Sequence, residues 1–192
     1  MTLDKDQIYI IENIISKKEQ QDLLNDLLYT GQPDVYGFTT AKYHENYPPN
    51  IIPEYQWVNI KETKNHLLRT IEARFSIEID KVIRVKTNWA FRKDISHENS
   101  MYAPHVDTRE KCWNLIYYVI DSDGDTILFD QTLMDFADGA IPPKDLDKLS
   151  IKTSVPPQQG NAVLFWGDRF HAGKPPIKND FRIIINHNFT IK

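Results

Sequence analysis

The chain has a single cysteine, Cys112, in 192 residues. An intrachain disulfide and a cysteine metal cage are both excluded, and a lone thiol of this kind is more often a small core residue than a nucleophile. Glycine is scarce, at seven residues against eleven prolines, which points to stiff loops and not to Gly/Ser linkers. No run of about 18 apolar residues occurs, so no transmembrane helix is expected. The opening residues, Met1-Thr2-Leu3-Asp4-Lys5-Asp6, are polar and acidic and lack the apolar stretch of a signal peptide. Positive charge is not in excess either. The 23 Lys and Arg stand against 27 Asp and Glu, a net charge of −4, which gives no general electrostatic pull toward nucleic acid. These absences predict a cytoplasmic protein with neither a membrane nor a nucleic acid as its partner.

What is present is ordinary for a globular chain: 41% hydrophobic and 26% charged residues. The length suits one domain spanning 1–192, with helical support over 1–80 and a β core over 81–192. Gln7 to Ile15 reads as a strand followed by a helix entry. Ser16-Lys17-Lys18-Glu19 has the S-x-x-E pattern of a capping box, ahead of a helix to about Tyr29 with Leu23, Leu24, Leu27 and Leu28 as its apolar stripe. A second helix is expected over Thr63 to Phe75, with Leu67, Leu68, Ile71 and Phe75 on one side. Between the helices, the aromatic and proline-rich stretch Val35 to Pro53 is too long for a plain connector and is a candidate substrate lid. A packed surface loop explains it equally well.

From Lys81 the pattern turns to period two. Val82 to Phe91, Trp113 to Ile120, Asp125 to Asp130, Ala162 to Trp166 and Phe181 to Phe189 read as strands. Short strands divided by turn residues predict a sandwich or barrel with helices outside it. Asp121-Ser122-Asp123-Gly124 reads as the hairpin turn between two of the strands. Asp121, Asp123 and Asp125 resemble the start of a calcium loop, but Thr126 stands where glycine is needed and Thr132 where glutamate is. A solvated turn is the better reading.

Against this background His105-Val106-Asp107, His171 and Arg182 stand out. Two imidazoles and one carboxylate are the set that holds non-haem Fe(II) on one face and leaves the other open. Residues i and i+2 of a strand share a face, so His105 and Asp107 can point into a barrel mouth with Val106 facing away. Alone, H-x-D is a weak signal, and a lone histidine is more often a satisfied surface or core residue. His171 follows the turn Gly167-Asp168-Arg169-Phe170 and supplies a third ligand. Arg182, eleven residues later, supplies a grip for a cosubstrate carboxylate. The remaining histidines serve as controls. His44 and His97 sit in polar loops, His66 on an exposed helix face, and His187 has opposite parity to Arg182, which predicts a surface position.

Taken in order, Ala103-Pro104-His105-Val106-Asp107, Asn114 to Val119, Gly124 to Phe129, Gly160 to Arg169, His171-Ala172-Gly173 and Phe181-Arg182-Ile183 resemble the Fe(II)- and 2-oxoglutarate-dependent dioxygenases, in their prolyl-4-hydroxylase-like branch. The resemblance covers roughly Lys81 to Thr190. It implies a double-stranded β-helix, or jelly roll, mainly β with flanking helices. It implies Fe(II) on His105, Asp107 and His171, and Arg182 on the distal carboxylate of 2-oxoglutarate, where a planar guanidinium fork gives two parallel bonds. Tyr118 matches a tyrosine that shares this carboxylate, against the plainer reading of an aromatic core residue. Relatives often have another tyrosine near Asn88-Trp89-Ala90. This chain has none, which leaves open whether Asn88 or Trp89 points inward.

The activity implied is hydroxylation of an unactivated C–H bond by dioxygen, with release of succinate and carbon dioxide and with ascorbate as a supporting reductant. A prolyl or other protein side chain is the first expectation for the substrate. A small molecule stays open, since specificity resides in loops and not in the fold. Two other classes compete: a non-catalytic jelly-roll binding module, and a cupin-like metalloenzyme that does not use 2-oxoglutarate. The first has no need of four polar residues converging in a barrel, and the second leaves Arg182 without a role.

Overall fold

The computed structural model describes residues 3–30, 39–40, 48, 50–52, 55–61, 66–93, 100–136 and 143–192. Most of the proposed lid over Val35 to Pro53, together with His44 and His97, lies outside these described residues.

The chain opens with β1 (Tyr9–Ile11) and α1 (Lys17–Asn25). Ser16 closes the expected capping box. Its hydroxyl accepts from the Glu19 N–H at 3.3 Å, and its own N–H donates to the Glu19 carboxylate at 2.8 Å. Leu23, Leu24 and Leu27 pack on the core as the stripe requires. The α-helix stops at Asn25, short of Tyr29, and continues as a π-turn over Asp26–Thr30. The wider turn carries Leu28 off the stripe and into solvent. Next come β2 (Thr39–Thr40), β3 (Ile51–Ile52), β4 (Tyr55–Lys61) and α2 (His66–Phe75). In α2 Leu67, Leu68, Ile71 and Phe75 are all buried. Burying Leu68 and Ile71 completely contributes about 1.5–3 kcal/mol each.

From Ile79 the chain is largely β: β5 (Ile79–Phe91), β6 (Met101–Tyr102), β7 (Trp113–Tyr118), β8 (Thr126–Thr132), β9 (Ile151–Val155), β10 (Ala162–Trp166), β11 (Arg169–Gly173) and β12 (Phe181–Ile191). A seven-stranded antiparallel sheet runs β1-β10-β7-β12-β5-β4-β2. A three-stranded antiparallel sheet, β11-β8-β9, packs across from it, and β3 pairs in parallel with β6. This is the jelly roll expected, with helices on the outer face of the large sheet. The segment before residue 80 is more than helical support, because β1, β2 and β4 are strands of that sheet.

Side-chain parity explains why β7 is buried throughout and β12 from Arg182 to Phe189. Leu115, Tyr117, Ile183, Ile185 and Phe189 face outward into a core shared with α2. Ile116, Tyr118 and Ile184 face inward and meet Leu128 and Val155 of the small sheet. Both faces of the central strands are thus covered. His187 is therefore not on the surface: it is fully buried, because the face opposite Arg182 lies under apolar packing and not under water.

Two turns differ from expectation. β7 and β8 lie in different sheets, so Asp121–Gly124 is not a hairpin but a corner between sheets. Its bonds run to distant segments: Ser122 N–H to the Pro157 carbonyl at 3.0 Å, and Gln159 N–H to the Asp121 carboxylate at 2.7 Å. Arg169 and Phe170 belong to β11, so the turn after β10 is only Gly167-Asp168. Among the described residues no helix is long and apolar enough to cross a membrane.

Candidate metal centre

His105 and His171 are joined by a reciprocal backbone pair. The N–H of His105 donates to the His171 carbonyl at 2.9 Å, and that of His171 to the His105 carbonyl at 3.0 Å. Residues paired in this way present their side chains on one face, and the two imidazole centroids lie 4.8 Å apart. Residues 105–107 are not a regular strand, but the alternation holds. Val106 is buried among Ile127, Phe129, Phe170 and Ala172, which turns His105 and Asp107 to the other side.

Each imidazole has its Nδ1 against a backbone carbonyl oxygen, Ala103 at 2.8 Å for His105 and Arg169 at 3.3 Å for His171. A ring that donates from Nδ1 keeps its Nε2 lone pair for a metal. The Nε2 atoms face Asp107, 4.0 Å from Oδ1 for His105 and 3.5 Å from Oδ2 for His171. Among the described residues these three side chains form the one His/Cys/Asp/Glu cluster with donor atoms within 4.8 Å of one another. The donor set fits non-haem Fe(II) with open positions.

Asp107 is held from several sides. An Arg84 N–H donates to Oδ1 at 2.7 Å; the Asn114 and Asn186 amides donate to Oδ2 at 2.8 Å each, and Asn188 does so at 3.4 Å. Burial by itself would raise the carboxyl pKa. His171, the Arg84 guanidinium, His105 and the Asn186 amide outweigh that, and hold it well below the usual carboxylate range. Asp107 is therefore anionic, as a ligand must be.

The same cleft contains a second polar centre. It is lined by His105, Asp107, His171, Thr126, Asn88 and Arg182, among others. Arg182 is 3% exposed. One of its N–H groups donates to the Thr126 hydroxyl at 2.7 Å, and the Tyr118 hydroxyl donates to the same oxygen at 2.9 Å. The Arg182 Nε is buried without an acceptor, and among the described residues no carboxylate pairs with this guanidinium. A buried cation without a counter-ion is costly, and a ligand carboxylate would relieve it. Tyr118 remains a neutral donor. Burial pushes its pKa up to about 12, against the lowering effect of Arg182 and the Thr126 bond. Gly124 makes room here, since a Cβ would meet the Lys174 carbonyl oxygen at 2.5 Å and the Arg182 stem at 3.1 Å.

The five residues singled out from the sequence thus lie at one place: His105, Asp107, His171 and Arg182 on the cleft wall, and Tyr118 behind Thr126. Asn88 and not Trp89 faces the cleft; Trp89 packs outward near Phe181, with ring centroids 6.0 Å apart. His66 is exposed and pairs with Glu19 at 2.8 Å. Thr126, Arg84, Asn114, Asn186 and Asn188 were not singled out as site residues from the sequence. The signal for two of them was there: Asn186 and Asn188 share the parity of Arg182 on β12 and are buried polar residues in a strand.

Comparison with known proteins agrees with this geometry. Residues 93–190 match the family model of the 2OG-Fe(II) oxygenase superfamily. No curated protein sequence matches the chain. Among solved structures it is similar to a prolyl-4-hydroxylase from Pseudomonas putida, with a TM-score of 0.57 and 10% identity over 96% of this chain and 92% of that one. It is similar to SnoN, a non-haem alpha-ketoglutarate-dependent epimerase of nogalamycin biosynthesis, with a TM-score of 0.64 and 11% identity over 97% and 79%. It is also similar to a prolyl hydroxylase from Trichoplax adhaerens in complex with a hypoxia-inducible-factor peptide, with a TM-score of 0.59 and 14% identity over 96% and 83%. At these identities the likeness speaks for a shared fold.

Proposed function

The chain belongs to the 2OG-Fe(II) oxygenase superfamily, and from that premise we propose that it hydroxylates an unactivated C–H bond with release of succinate and carbon dioxide. His105, Asp107 and His171 hold Fe(II); Arg182 and Thr126 take the distal carboxylate of 2-oxoglutarate, with Tyr118 orienting the Thr126 hydroxyl from behind. Together the metal and cosubstrate supply the oxidising chemistry: one oxygen atom of dioxygen goes to the substrate and the other to succinate as carbon dioxide leaves. The protein's own part is orientation. The backbone carbonyls at Nδ1 keep both rings turned to the metal, and the asparagine amides keep Asp107 in place. Thr126, already accepting two hydrogen bonds, has its own O–H left to donate.

The observation that carries the reading is the buried Arg182, without a carboxylate partner among the described residues, in the same cleft as the His-Asp-His cluster. A binding module or a metalloenzyme without 2-oxoglutarate gives that cation no partner. For the substrate, a prolyl or other protein side chain is the leading proposal, supported by the two prolyl hydroxylases of similar fold. A small molecule is the alternative, supported by SnoN. The test is succinate formation from 2-oxoglutarate with Fe(II) and ascorbate. Wild type should turn over, His171→Ala should not, and Arg182→Ala should recover in part at high 2-oxoglutarate. A wild type that neither binds nor consumes 2-oxoglutarate refutes the proposal. A panel of peptides and metabolites, read by mass for the gain of one oxygen, then separates the substrate classes.

A further inference from the structure

Arg84 lies on β5 opposite Asn188 of β12. Its Nε donates to the Asn188 side-chain oxygen at 2.9 Å, and a terminal N–H donates to Asp107 Oδ1 at 2.7 Å. One of the three proposed metal ligands thus already has a permanent cation in contact. We infer that Arg84 is a resident counter-cation for Asp107, a positioning residue that neutralises the carboxylate in the metal-free site and weakens that site's hold on a divalent ion. The inference rests on reading His105, Asp107 and His171 as metal ligands.

Two effects of opposite sign meet at Arg84. Orienting the carboxylate would strengthen metal binding. Placing a positive charge beside the metal would weaken it. Orientation is redundant in this site. Without Arg84, the Asn114 and Asn186 amides still hold Asp107 Oδ2 at 2.8 Å each. Charge is not redundant. Among the described residues Arg84 is the only arginine or lysine paired with Asp107, and ligating imidazoles are neutral. Removing Arg84 therefore changes the field at the metal more than it changes the geometry. The metal-free protein is left with a buried carboxylate that has lost its guanidinium partner and keeps only the imidazoles and the asparagine amides, and a divalent ion gains what the guanidinium had supplied. Arg84's side chain is 26% exposed, so solvent screens part of its field. The expected change is on the order of ten-fold in metal affinity rather than thousands.

The test uses metal-free wild type, Arg84→Met, Arg84→Gln and Arg84→Lys, each titrated calorimetrically with Co(II) and Mn(II) at one pH and without 2-oxoglutarate. Thermal midpoints of the metal-free proteins are recorded beside them. The Met and Gln variants should bind both ions about ten-fold more tightly and melt lower without metal. The Lys variant should stay close to wild type, and added salt should narrow the gap. Affinities in the Met and Gln variants equal to or weaker than wild type would overturn the inference and leave Arg84 an orienting group. Should Arg84→Met fail to fold, Gln against Lys carries the same contrast of charge. A wild type that binds neither ion overturns the ligand reading itself, and the inference with it.

Discussion

Replacing Arg182 by methionine should separate ligand binding from folding. Arg182 is 3% exposed, with one bond from its guanidinium to Thr126 at 2.7 Å and a buried Nε lacking an acceptor. Without cosubstrate, the substitution removes an uncompensated buried charge and one hydrogen bond. Exchanging buried ionic groups for apolar ones of similar volume is often neutral or stabilising by about 1–4 kcal/mol. The lost bond costs about 1 kcal/mol, and Thr126 still accepts from Tyr118. The net change therefore lies between a loss of about 1 and a gain of about 3 kcal/mol, and the thermal midpoint should fall by no more than about 4 °C and can rise by up to about 12 °C, since about 1 kcal/mol corresponds to about 2–4 °C in a chain of this size. With cosubstrate the loss is large. Two charge-assisted bonds at about 1.5–3 kcal/mol each correspond to roughly 10²- to 10⁴-fold in the Kd for 2-oxoglutarate. Calorimetric titration of 2-oxoglutarate into the metal-loaded protein reads this directly. In succinate assays KM should rise and kcat should recover at saturation, the signature of lost ground-state binding. Arg182→Lys should fall between, because it keeps the charge and loses the fork. A variant that melts far below wild type and binds 2-oxoglutarate normally would refute the reasoning and make Arg182 a structural residue.

Three further changes test the electrostatics and packing around the site. The pKa of Asp107 is held down in the folded state, so its contribution is present above the ordinary carboxylate pKa of about 3.9 and is shed as pH falls below it; metal-free Asp107→Asn should show a shallower acid unfolding profile, and an unchanged profile would count against the anionic hub. Burial lowers the His187 pKa to about 4; the unfolded chain then takes up its proton first, so stability is full above about 6.5 and declines toward pH 4, by up to about 3 kcal/mol. His187→Phe should flatten the urea midpoint across that window, and a slope equal to that of wild type would show that the ring is not the group responsible. Gly124→Ala forces a methyl against the Lys174 carbonyl oxygen and the Arg182 stem; 2-oxoglutarate affinity should fall while Co(II) affinity holds, and normal binding of both would mean that the corner does not position Arg182.

The sequence already carried the residues of the candidate metal cluster and the arginine that shares their cleft, because the chemistry restricts which residue types can serve, and spacing supplied the rest. It carried five of the strands, because runs of β-branched, leucine and aromatic residues bounded by turn residues mark a strand even where both of its faces are covered. It misjudged features set by what lies on the other side of an element. The Asp121–Gly124 corner has the residues of a hairpin turn, and local turn chemistry does not distinguish a turn within one sheet from a crossing between two. His187 was given the correct face of β12 and the wrong environment, since the face away from Arg182 is roofed by the helices and not by water. The short strands β6 and β11 lie beside the ligands themselves. There Pro104, Gly167 and Gly173 read as loop, and a reciprocal backbone pair between distant segments leaves no periodic trace.

Two arginines of the site face inward and differ in one respect that bears on their roles. Arg84 has its anion, Asp107, at 2.7 Å. Arg182, more deeply buried, donates to the neutral Thr126 hydroxyl and has no anion among the described residues. A fold optimised for stability alone would place the carboxylate beside the more buried cation, where desolvation is most costly. The opposite arrangement stands here. Asp107 meets the shallower arginine, is held by amides from β7 and β12 and lies between two imidazoles, while the deeper arginine is, under the proposed function, the partner of an incoming carboxylate. Among the described residues the cleft is therefore charge-compensated at its Asp107 end before any ligand arrives and uncompensated at its Arg182 end, so that end is where a carboxylate of an entering dianion such as 2-oxoglutarate would be drawn.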